Sequence, residues 1–307
     1  MTKQFLLRGG LLVLYLLLPI GASAEQSFSK LFVFGDSLSD TGNLAALPGF
    51  EFLNSPPFDM GFSNGDRAVE VLGKSLGLNV NPSLHLVGPP AGTNFAVSGA
   101  RARGTNPIDL SAQIGAFLLD NRGAAPSDVL YVVFIGGNDV RDARDEPDKH
   151  LAKGIIRDAV KSIDLSVRSL VTTGAKAIMV VNVPDIGATP ESRQSGNEEL
   201  SERATELTKQ FNKELSGRMR RIERDLNFDL VDFNIFQFFR FVIKNSVALG
   251  FTNNDDACFS SVTFIVHPDC NFDKFVFFDE FHPTKRIHER IGRALFAVAP
   301  ELVEVAP

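Results

Sequence analysis

The stretch LFVFGDSLSDTGN, from Leu31 to Asn43, joins an apolar run directly to small and polar residues. Its first four residues are all apolar, and Gly35, Asp36 and Ser37 follow at once. An apolar run that ends in this way predicts a buried strand followed by a tight turn. Ser37 would then lie just past the carboxyl end of the strand, where a serine either caps a helix or acts as a nucleophile.

Further strand-like segments alternate with long helical patterns. Apolar residues recur at helical spacing over residues 156–170 and again over 200–222. This alternation predicts an α/β fold whose parallel sheet is covered by helices on both faces. Sites in such sheets form beyond the carboxyl ends of the strands, which favours the nucleophile interpretation of Ser37. The other predicted strands are 129–135, 177–183 and, with a more mixed composition, 228–233.

Several segments between these elements show no clear periodicity of apolar residues. Pro, Gly, Asn, Asp and Ser accumulate in four of them, which predicts loops. A cluster of phenylalanines between residues 236 and 241 is interpreted as part of a buried helix, with an acyl-chain pocket or a lipid-contacting lid as the alternative. The predicted loops are 47–66, 82–92, 184–197 and 252–273.

Residues 1–24 have the pattern of a secretory signal peptide. Two basic residues precede a short apolar stretch at residues 11–20, and the sequence ASA ending at Ala24 fits a small-x-small cleavage site. We expect cleavage after Ala24, which leaves a single domain over residues 25–307 in a secreted or periplasmic protein. An uncleaved membrane anchor is the alternative, although the apolar stretch is short for a membrane span.

Composition and charge exclude one class of partner. The chain has 307 residues, of which 44% are hydrophobic, so it can bury a large core. Its 31 Lys and Arg against 37 Asp and Glu give a formal net charge of −6. Because the chain is acidic and has no basic cluster, we expect no nucleic-acid partner.

The sequence contains two cysteines, Cys258 and Cys270. Secretion favours a disulfide between them, and two free buried thiols are the alternative. Only His267 lies near them in the sequence, and this spacing does not match zinc-ligand patterns, so we expect no metal site.

A serine nucleophile needs a base and a group that orients the base, and one His-Pro sequence supplies both. In DEFHPT, Asp279 precedes His282 by three residues, so one turn of chain can bring the carboxylate to the imidazole ring. Pro283 disfavours helical backbone at His282, and Thr284 can cap the helix that follows. We therefore predict His282 as the general base and Asp279 as its partner, with a purely structural histidine as the alternative.

Two glycine-containing segments can supply donors to an oxyanion. In FIGGNDV, Asn138 follows a predicted strand, so its amide can donate to an oxyanion, although a turn role is the alternative. In NFAVSGARA, Gly99 allows a backbone N–H to approach a ligand closely, although a packing glycine is the alternative. The stretch 61–65 also fits the G-x-S-x-G motif around Ser63, but turn-like residues precede it where that motif requires a strand.

Together these segments resemble the GDSL, or SGNH, hydrolase family. Four stretches are similar to the blocks of that family and occur in its order: GDSLSDTGN (35–43), NFAVSGA (94–100), GGND (136–139) and DEFHPT (279–284). FSNGDRAVE and NVPDIGATP are similar to connecting segments of its lipase-like branch. Two positions depart from the family pattern, because Ser98 stands where a second glycine is common and no arginine precedes Phe62.

The resemblance implies a fold and a set of roles. The implied fold is a flavodoxin-like three-layer α/β/α sandwich with a central, mostly parallel sheet. Ser37 would be the nucleophile, and His282 and Asp279 would complete the triad. The backbone N–H groups of Ser37 and Gly99, with the Asn138 side chain, would form the oxyanion hole. No cofactor is implied.

We therefore expect a secreted serine ester hydrolase, of lipase or esterase type, that forms an acyl-enzyme on Ser37. Lysophospholipase or acyltransferase activity and carbohydrate deacetylation are alternatives that would use the same site. A catalytically idle lipid- or carbohydrate-binding protein is the alternative from another class. The expected partner is a small-molecule or lipid ester, with transient contact to a lipid surface, and the protein is expected to act as a monomer.

Overall fold

The computed structural model describes residues 28–302, so the predicted signal peptide lies outside the described residues. Its centre is a four-stranded parallel sheet in which sequential strands are neighbours. Each strand that the sequence predicted is present, although the last is only three residues long. The strands are β1 (Lys30–Gly35), β2 (Val129–Phe134), β3 (Ala177–Val181) and β4 (Val231–Phe233).

Helices cover both faces of this sheet. Alternate strand residues point to opposite faces, so each face carries its own apolar core. Helices α2, α3, α4 and α6 contribute to one core, and α1, α7 and α8 contribute to the other, which confirms the predicted three-layer α/β/α arrangement. The helices are α1 (Ala68–Ser75), α2 (Leu110–Asp120), α3 (Gly137–Asp145), α4 (Lys149–Thr173), α5 (Pro190–Arg193), α6 (Glu198–Leu226), α7 (Ile235–Lys244) and α8 (Lys285–Val298).

The register of the sheet brings three polar segments to one edge. Gly35 at the end of β1 pairs with Phe134 at the end of β2, so the chain leaves both strands at the same level. A side chain at Gly35 would place its Cβ 2.5 Å from the carbonyl oxygen of Phe134, so this close pairing requires glycine. On the other side of β1, the N–H of Val97 donates to the carbonyl of Gly35 (3.2 Å). The segments that contain Ser37 and Gly99 therefore emerge side by side.

Some sequence predictions need correction. The segment 252–273, predicted as a loop, contains β5 (Asn253–Ala257), which pairs with β6 (Phe275–Phe277) in a second, two-stranded parallel sheet. The sequence NNDDA has no apolar alternation, because this strand is half exposed. The segment 184–197 likewise contains the short helix α5. Thr284 occupies the N-cap position of α8, but its hydroxyl donates to the carbonyl of Phe275 instead of capping the helix.

The phenylalanine cluster lies on α7 and is only partly buried. Phe239 is buried, whereas Phe241 is more than half exposed, so the prediction of a buried helix holds for one face only. Within residues 28–302, no helix is both long enough and apolar enough to cross a bilayer.

Candidate active site

Ser37, His282 and Asp279 form one hydrogen-bonded chain. The hydroxyl of Ser37 lies 2.8 Å from Nε2 of His282, and Nδ1 of the same ring lies 2.8 Å from each carboxylate oxygen of Asp279. The Asp279 carboxylate is fully buried, and the imidazole is only 12% exposed. The structure thus brings together three side chains that the sequence predicted to act together.

Local backbone geometry holds Asp279 and His282 in this arrangement. Oδ1 of Asp279 accepts hydrogen bonds from the backbone N–H groups of Phe281 (2.9 Å) and His282 (2.7 Å). The N–H of Phe278 donates to the carbonyl of His282 (2.8 Å), which closes the turn. Because a buried carboxylate accepts at Nδ1, the hydrogen of the neutral imidazole is assigned to Nδ1. Nε2 is then free to accept the proton of the Ser37 hydroxyl.

Aromatic side chains confine the imidazole. The ring of Phe62 stacks on His282 with centroids 5.0 Å apart and planes 18° from parallel. Phe281 meets the same ring edge-on at 6.0 Å, and the guanidinium of Arg141 lies 4.0 Å above the centre of the Phe281 ring. This stacking could not be predicted from the sequence, because Phe62 lies 220 positions before His282 and on a different loop.

Hydrogen bonds join the two segments that carry the predicted oxyanion donors, Gly99 and Asn138. One hydrogen of the Asn138 side-chain amide is donated to the carbonyl of Ala100 (2.9 Å), and the amide has a second hydrogen. Next in sequence, the buried carboxylate of Asp139 accepts from the N–H groups of Ala102 (2.8 Å) and Arg103 (3.3 Å). Burial raises the pKa of Asp139 to about 6, and those two N–H groups and the Arg103 charge act in the opposite direction.

Glycine is required at both donor segments. Gly99 has φ of +83°, a conformation that side-chain-bearing residues rarely adopt. Gly136, at the start of α3, has φ of +127°, and a Cβ there would lie 2.4 Å from the ring of Phe211. These glycines let the chain turn sharply from the sheet edge toward Ser37 and Asn138.

Asp40 is a buried residue whose carboxylate joins two segments by hydrogen bonds, a role that was not predicted from the sequence. Its Oδ1 accepts from the N–H groups of Gly42 (2.9 Å) and Asn43 (2.7 Å). Its Oδ2 accepts from the N–H of Leu44 (3.2 Å) and from both the N–H (2.8 Å) and the hydroxyl (2.9 Å) of Ser98. Ser98, the departure from the family pattern, therefore ties its segment to the turn after β1.

Asp36, immediately before the serine, is also buried beside the site. Burial raises its pKa to about 6, while the N–H groups of Leu38, Gly136 and Gly137 and the charge of His282 oppose that rise. The N–H of Leu38 donates to Oδ1 of Asp36 at 3.1 Å. Asp36 thus faces both the turn after β1 and the turn after β2, which meet at this edge of the sheet.

An apolar cavity of about 60 Å³ opens beside Ser37, Asn138 and His282. It lies between the sheet edge and helices α7 and α8. Phe239 of the phenylalanine cluster lines it, so one member of that cluster does contribute to a pocket at the site. The apolar wall consists mainly of Leu38, Phe134, Ile186, Ile235, Phe239 and Ile291.

The alternative serine does not have the surroundings of a nucleophile. Ser63 is fully buried, and its hydroxyl has no hydrogen-bond partner among residues 28–302. It lies in an irregular segment between bends, with no strand before it. The G-x-S-x-G match therefore lacks the strand-turn-helix context that the motif requires.

The predicted disulfide between Cys258 and Cys270 is present. Next to it, the N–H of Cys258 donates to the carbonyl of Phe277 (3.2 Å), and the N–H of Phe259 donates to the carbonyl of Phe278 (2.8 Å). The cross-linked loop therefore borders the two residues that precede Asp279. Across the described part of the chain, no group of three or more His, Cys, Asp or Glu side chains could hold a metal ion.

Comparison with known proteins identifies related sequences. The family described as GDSL-like Lipase/Acylhydrolase matches residues 31–295. A GDSL esterase/lipase from Arabidopsis thaliana is 27% identical, over 92% of this chain and 90% of its own length. Lipase 1 from Photorhabdus luminescens is 29% identical over 62% of this chain, which spans only 27% of that relative. A phosphatidylcholine-sterol acyltransferase from Aeromonas hydrophila is 26% identical, over 78% of this chain and 68% of its own length.

Proposed function

Since the chain belongs to the GDSL-like lipase/acylhydrolase family and is an ester-bond hydrolase, we propose that it cleaves carboxylic esters through an acyl-enzyme on Ser37. The observation that carries this proposal is the unbroken hydrogen-bonded chain from Ser37 through His282 to Asp279. Such a chain allows a weakly acidic hydroxyl to lose its proton as it attacks.

The reaction divides into two similar halves. The Ser37 oxygen attacks the ester carbonyl carbon, and its proton passes to Nε2 of His282, while Asp279 stabilises the imidazolium. The N–H groups of Ser37 and Gly99 and the Asn138 amide donate to the oxyanion as charge develops on it. The leaving alcohol takes the proton from His282, and water then repeats the sequence to release the acid and free Ser37.

The apolar cavity beside Ser37 supports an ester with an apolar acyl group. Most of its exposed wall is apolar, although Asp36, Arg141 and Asp185 also line it, and such a wall favours a hydrocarbon chain over a sugar. Transfer of the acyl group to an alcohol instead of water is a second candidate, because it would use the same intermediate. The similarity to a relative named as an acyltransferase favours this candidate.

The proposal includes a location and an assembly state. The pattern of a signal peptide at residues 1–24 and the disulfide between Cys258 and Cys270 both support a secreted or periplasmic protein. Residues 25–307 would then form one hydrolase domain. All the proposed site residues come from one chain, so activity as a monomer requires no second subunit.

The test compares two serines in the same protein. We expect Ser37→Ala to lower kcat on a dissolved p-nitrophenyl ester by on the order of 10⁴ to 10⁶. Ser63→Ala is the matched control and should retain near-normal turnover, because its buried hydroxyl makes no hydrogen bond among the described residues. Rapid mixing of the unmodified enzyme should give a burst of p-nitrophenol, and mass spectrometry should find the acyl group on Ser37. Equal residual activity in the two variants would contradict the assignment.

A further inference from the structure

Two loops together expose six large apolar side chains. The first precedes α1 and exposes Phe50 (36%) and Phe52 (40%). The second lies within the disulfide-closed segment and exposes more of each side chain. We call these six residues the apolar rim: Phe50, Phe52, Val262 (79%), Phe264 (61%), Ile265 (64%) and Val266 (47%).

The rim is continuous with the candidate active site. Phe264 contacts Phe52 with ring centroids 6.0 Å apart, and Phe52 contacts Phe58 at 5.4 Å. Phe58 contacts Phe62 at 6.0 Å, and Phe62 stacks on His282 at 5.0 Å. A row of aromatic rings in contact therefore joins the exposed rim to the imidazole of His282.

The loop structure holds these side chains outward. The N–H of Phe264 donates to the carbonyl of Ser260 (2.8 Å), and the N–H of Ser260 donates to the carbonyl of Ile265 (2.9 Å). Phe264 has φ of +58°, a conformation that is uncommon for a bulky residue. The disulfide at Cys258 and Cys270 closes the segment on both sides of this turn. The exposed position of Phe264 is thus fixed by backbone bonds and a cross-link.

The charge of the two loops restricts what the rim can contact. The segments 44–65 and 257–273 contain no Lys or Arg. Their charged residues are all acidic, namely Glu51, Asp59, Asp269 and Asp273. Acidic loops are repelled by an anionic membrane, whereas exposed aromatic and aliphatic side chains insert readily at the boundary of an uncharged lipid phase.

We propose that the apolar rim docks onto a neutral or zwitterionic lipid-ester surface and so presents the esters of that surface to Ser37. This inference rests on the proposed function, because it identifies the physical form of the substrate for the same site. Docking would bury apolar area that is otherwise in water. It would also place the row of aromatic rings between the lipid phase and His282.

The experiment replaces two rim residues and leaves the catalytic residues unchanged. The rim variant is Phe264→Asn with Ile265→Thr, because asparagine tolerates the left-handed conformation and threonine keeps the β-branch. The control variant is Leu119→Gln with Leu165→Gln, which removes two exposed leucines from helices α2 and α4. Flotation with phosphatidylcholine vesicles measures docking without catalysis. Turnover of an emulsified triglyceride is compared with turnover of a dissolved p-nitrophenyl ester.

We expect the rim variant to lose roughly tenfold or more in vesicle binding and in emulsion turnover, which corresponds to about 1.4 kcal/mol. Its turnover of the dissolved ester should stay within about a factor of two of the unmodified enzyme, and the control variant should retain both activities. Unchanged vesicle binding in the rim variant would overturn the inference, as would tighter binding to phosphatidylglycerol than to phosphatidylcholine. If the unmodified protein is a dimer and the rim variant is a monomer, the rim binds a second copy of the chain. That result would also overturn the inference. Absence of turnover of the dissolved ester by the unmodified enzyme would instead contradict the proposed function.

Discussion

At the scale of single residues, buried carboxylates organise the loops that surround Ser37. Asp40 accepts hydrogen bonds from the turn after β1 and from Ser98, and Asp139 accepts from the segment after Gly99. Asp279 accepts from its own turn as well as from His282. Each carboxylate replaces lost hydration with backbone N–H groups, which makes its burial tolerable and fixes the loop around it.

Asp279→Asn tests whether the acid holds the imidazole in one tautomer. The substitution keeps an oxygen for the N–H groups of Phe281 and His282, so the turn should survive. The amide nitrogen would then face Nδ1 and donate to it, which moves the imidazole hydrogen to Nε2. Because Nε2 could no longer accept the Ser37 proton, we expect kcat to fall by up to about 10⁴ with little change in KM. Steady-state kinetics on a dissolved ester measures both constants.

The second His-Pro sequence supplies a control for that change. Asp269 is an exposed acid two residues after His267, and Asp269→Asn removes its charge. Its kcat should remain near that of the unmodified enzyme. A near-normal rate in Asp279→Asn, with Asp269→Asn unchanged, would show that Asp279 does not orient His282 and would remove it from the proposed site.

Sequence spacing predicts contacts between residues that are close along the chain, whereas the pairing of Ser37 with His282 was predicted through the resemblance to a known family. Asp279 and His282 are separated by one turn of chain, so their contact follows from spacing alone. The stacking of Phe62 on His282 and the bonds of Asp40 to Ser98 join loops that are distant in sequence. Such contacts depend on how the loops pack, and hydrophobic periodicity carries no information about that packing.

At the scale of elements, apolar pattern and length decided which segments could be predicted. Strands β1, β2 and β3 are buried on both faces and read as continuous apolar runs, so their positions agree with the structure to within two residues. Helices α4 and α6 are long enough for their period to be clear. Strand β5 was not predicted, because its polar residues in a small surface sheet have no apolar period.

The packing of α8 on α1 is an element-scale feature that depends on one glycine. A Cβ at Gly292 would lie 2.5 Å from Cβ of Val71 and 2.6 Å from the carbonyl oxygen of Ala68, so the two helices touch closely at this point. Helix α8 begins three residues after His282. The position of the imidazole therefore depends on how closely α8 approaches α1.

Gly292→Ala tests this dependence. The added methyl group must push the helices apart, so we expect the free energy of unfolding to fall by about 1–3 kcal/mol and kcat to fall with it. The control is Gly217→Ala in α6, where nothing lies within 4 Å of an added Cβ. Removing a helical glycine there should raise the free energy of unfolding by about 0.5–1 kcal/mol. Urea unfolding measures both variants, and equal effects at the two sites would contradict the proposed close contact.

At the scale of the whole molecule, the site forms where distant parts of the chain meet. Ser37 and His282 are 245 positions apart, and their hydrogen bond requires the segment after β1 to lie against the segment that leads into α8. Two contacts join the starts of α1 and α8. Oδ1 of Asn64 accepts from the N–H of Lys285 (2.9 Å), and Nδ1 of His288 accepts from the N–H of Ala68 (3.2 Å).

His288 makes that junction sensitive to acid. Burial lowers its pKa from the ordinary value of 6.5 to about 3, and the charges of Arg67 and His282 act in the same direction. Its Nδ1 must be unprotonated to accept the hydrogen bond from Ala68, so protonation would remove this hydrogen bond between α1 and α8. The sequence did not indicate this role, because nothing in the pattern of α8 separates a buried histidine from an exposed one.

The acid sensitivity can be measured as a difference between two proteins. Between pH 6.5 and about 3, the unfolded chain binds a proton at His288 that the folded chain does not, so His288 stabilises the fold less as pH falls through this window. The expected loss is up to about 1.4 kcal/mol per pH unit. His288→Asn keeps an acceptor near the position of Nδ1 but cannot be protonated, so its free energy of unfolding should fall less steeply with acid. Urea unfolding from about pH 7 to about pH 4 gives the slope of the free energy of unfolding against pH for each protein. His150 is exposed, so His150→Asn is the control and should keep the slope of the unmodified protein. Identical slopes for His288→Asn and the unmodified protein would show that His288 does not remain neutral in the folded chain.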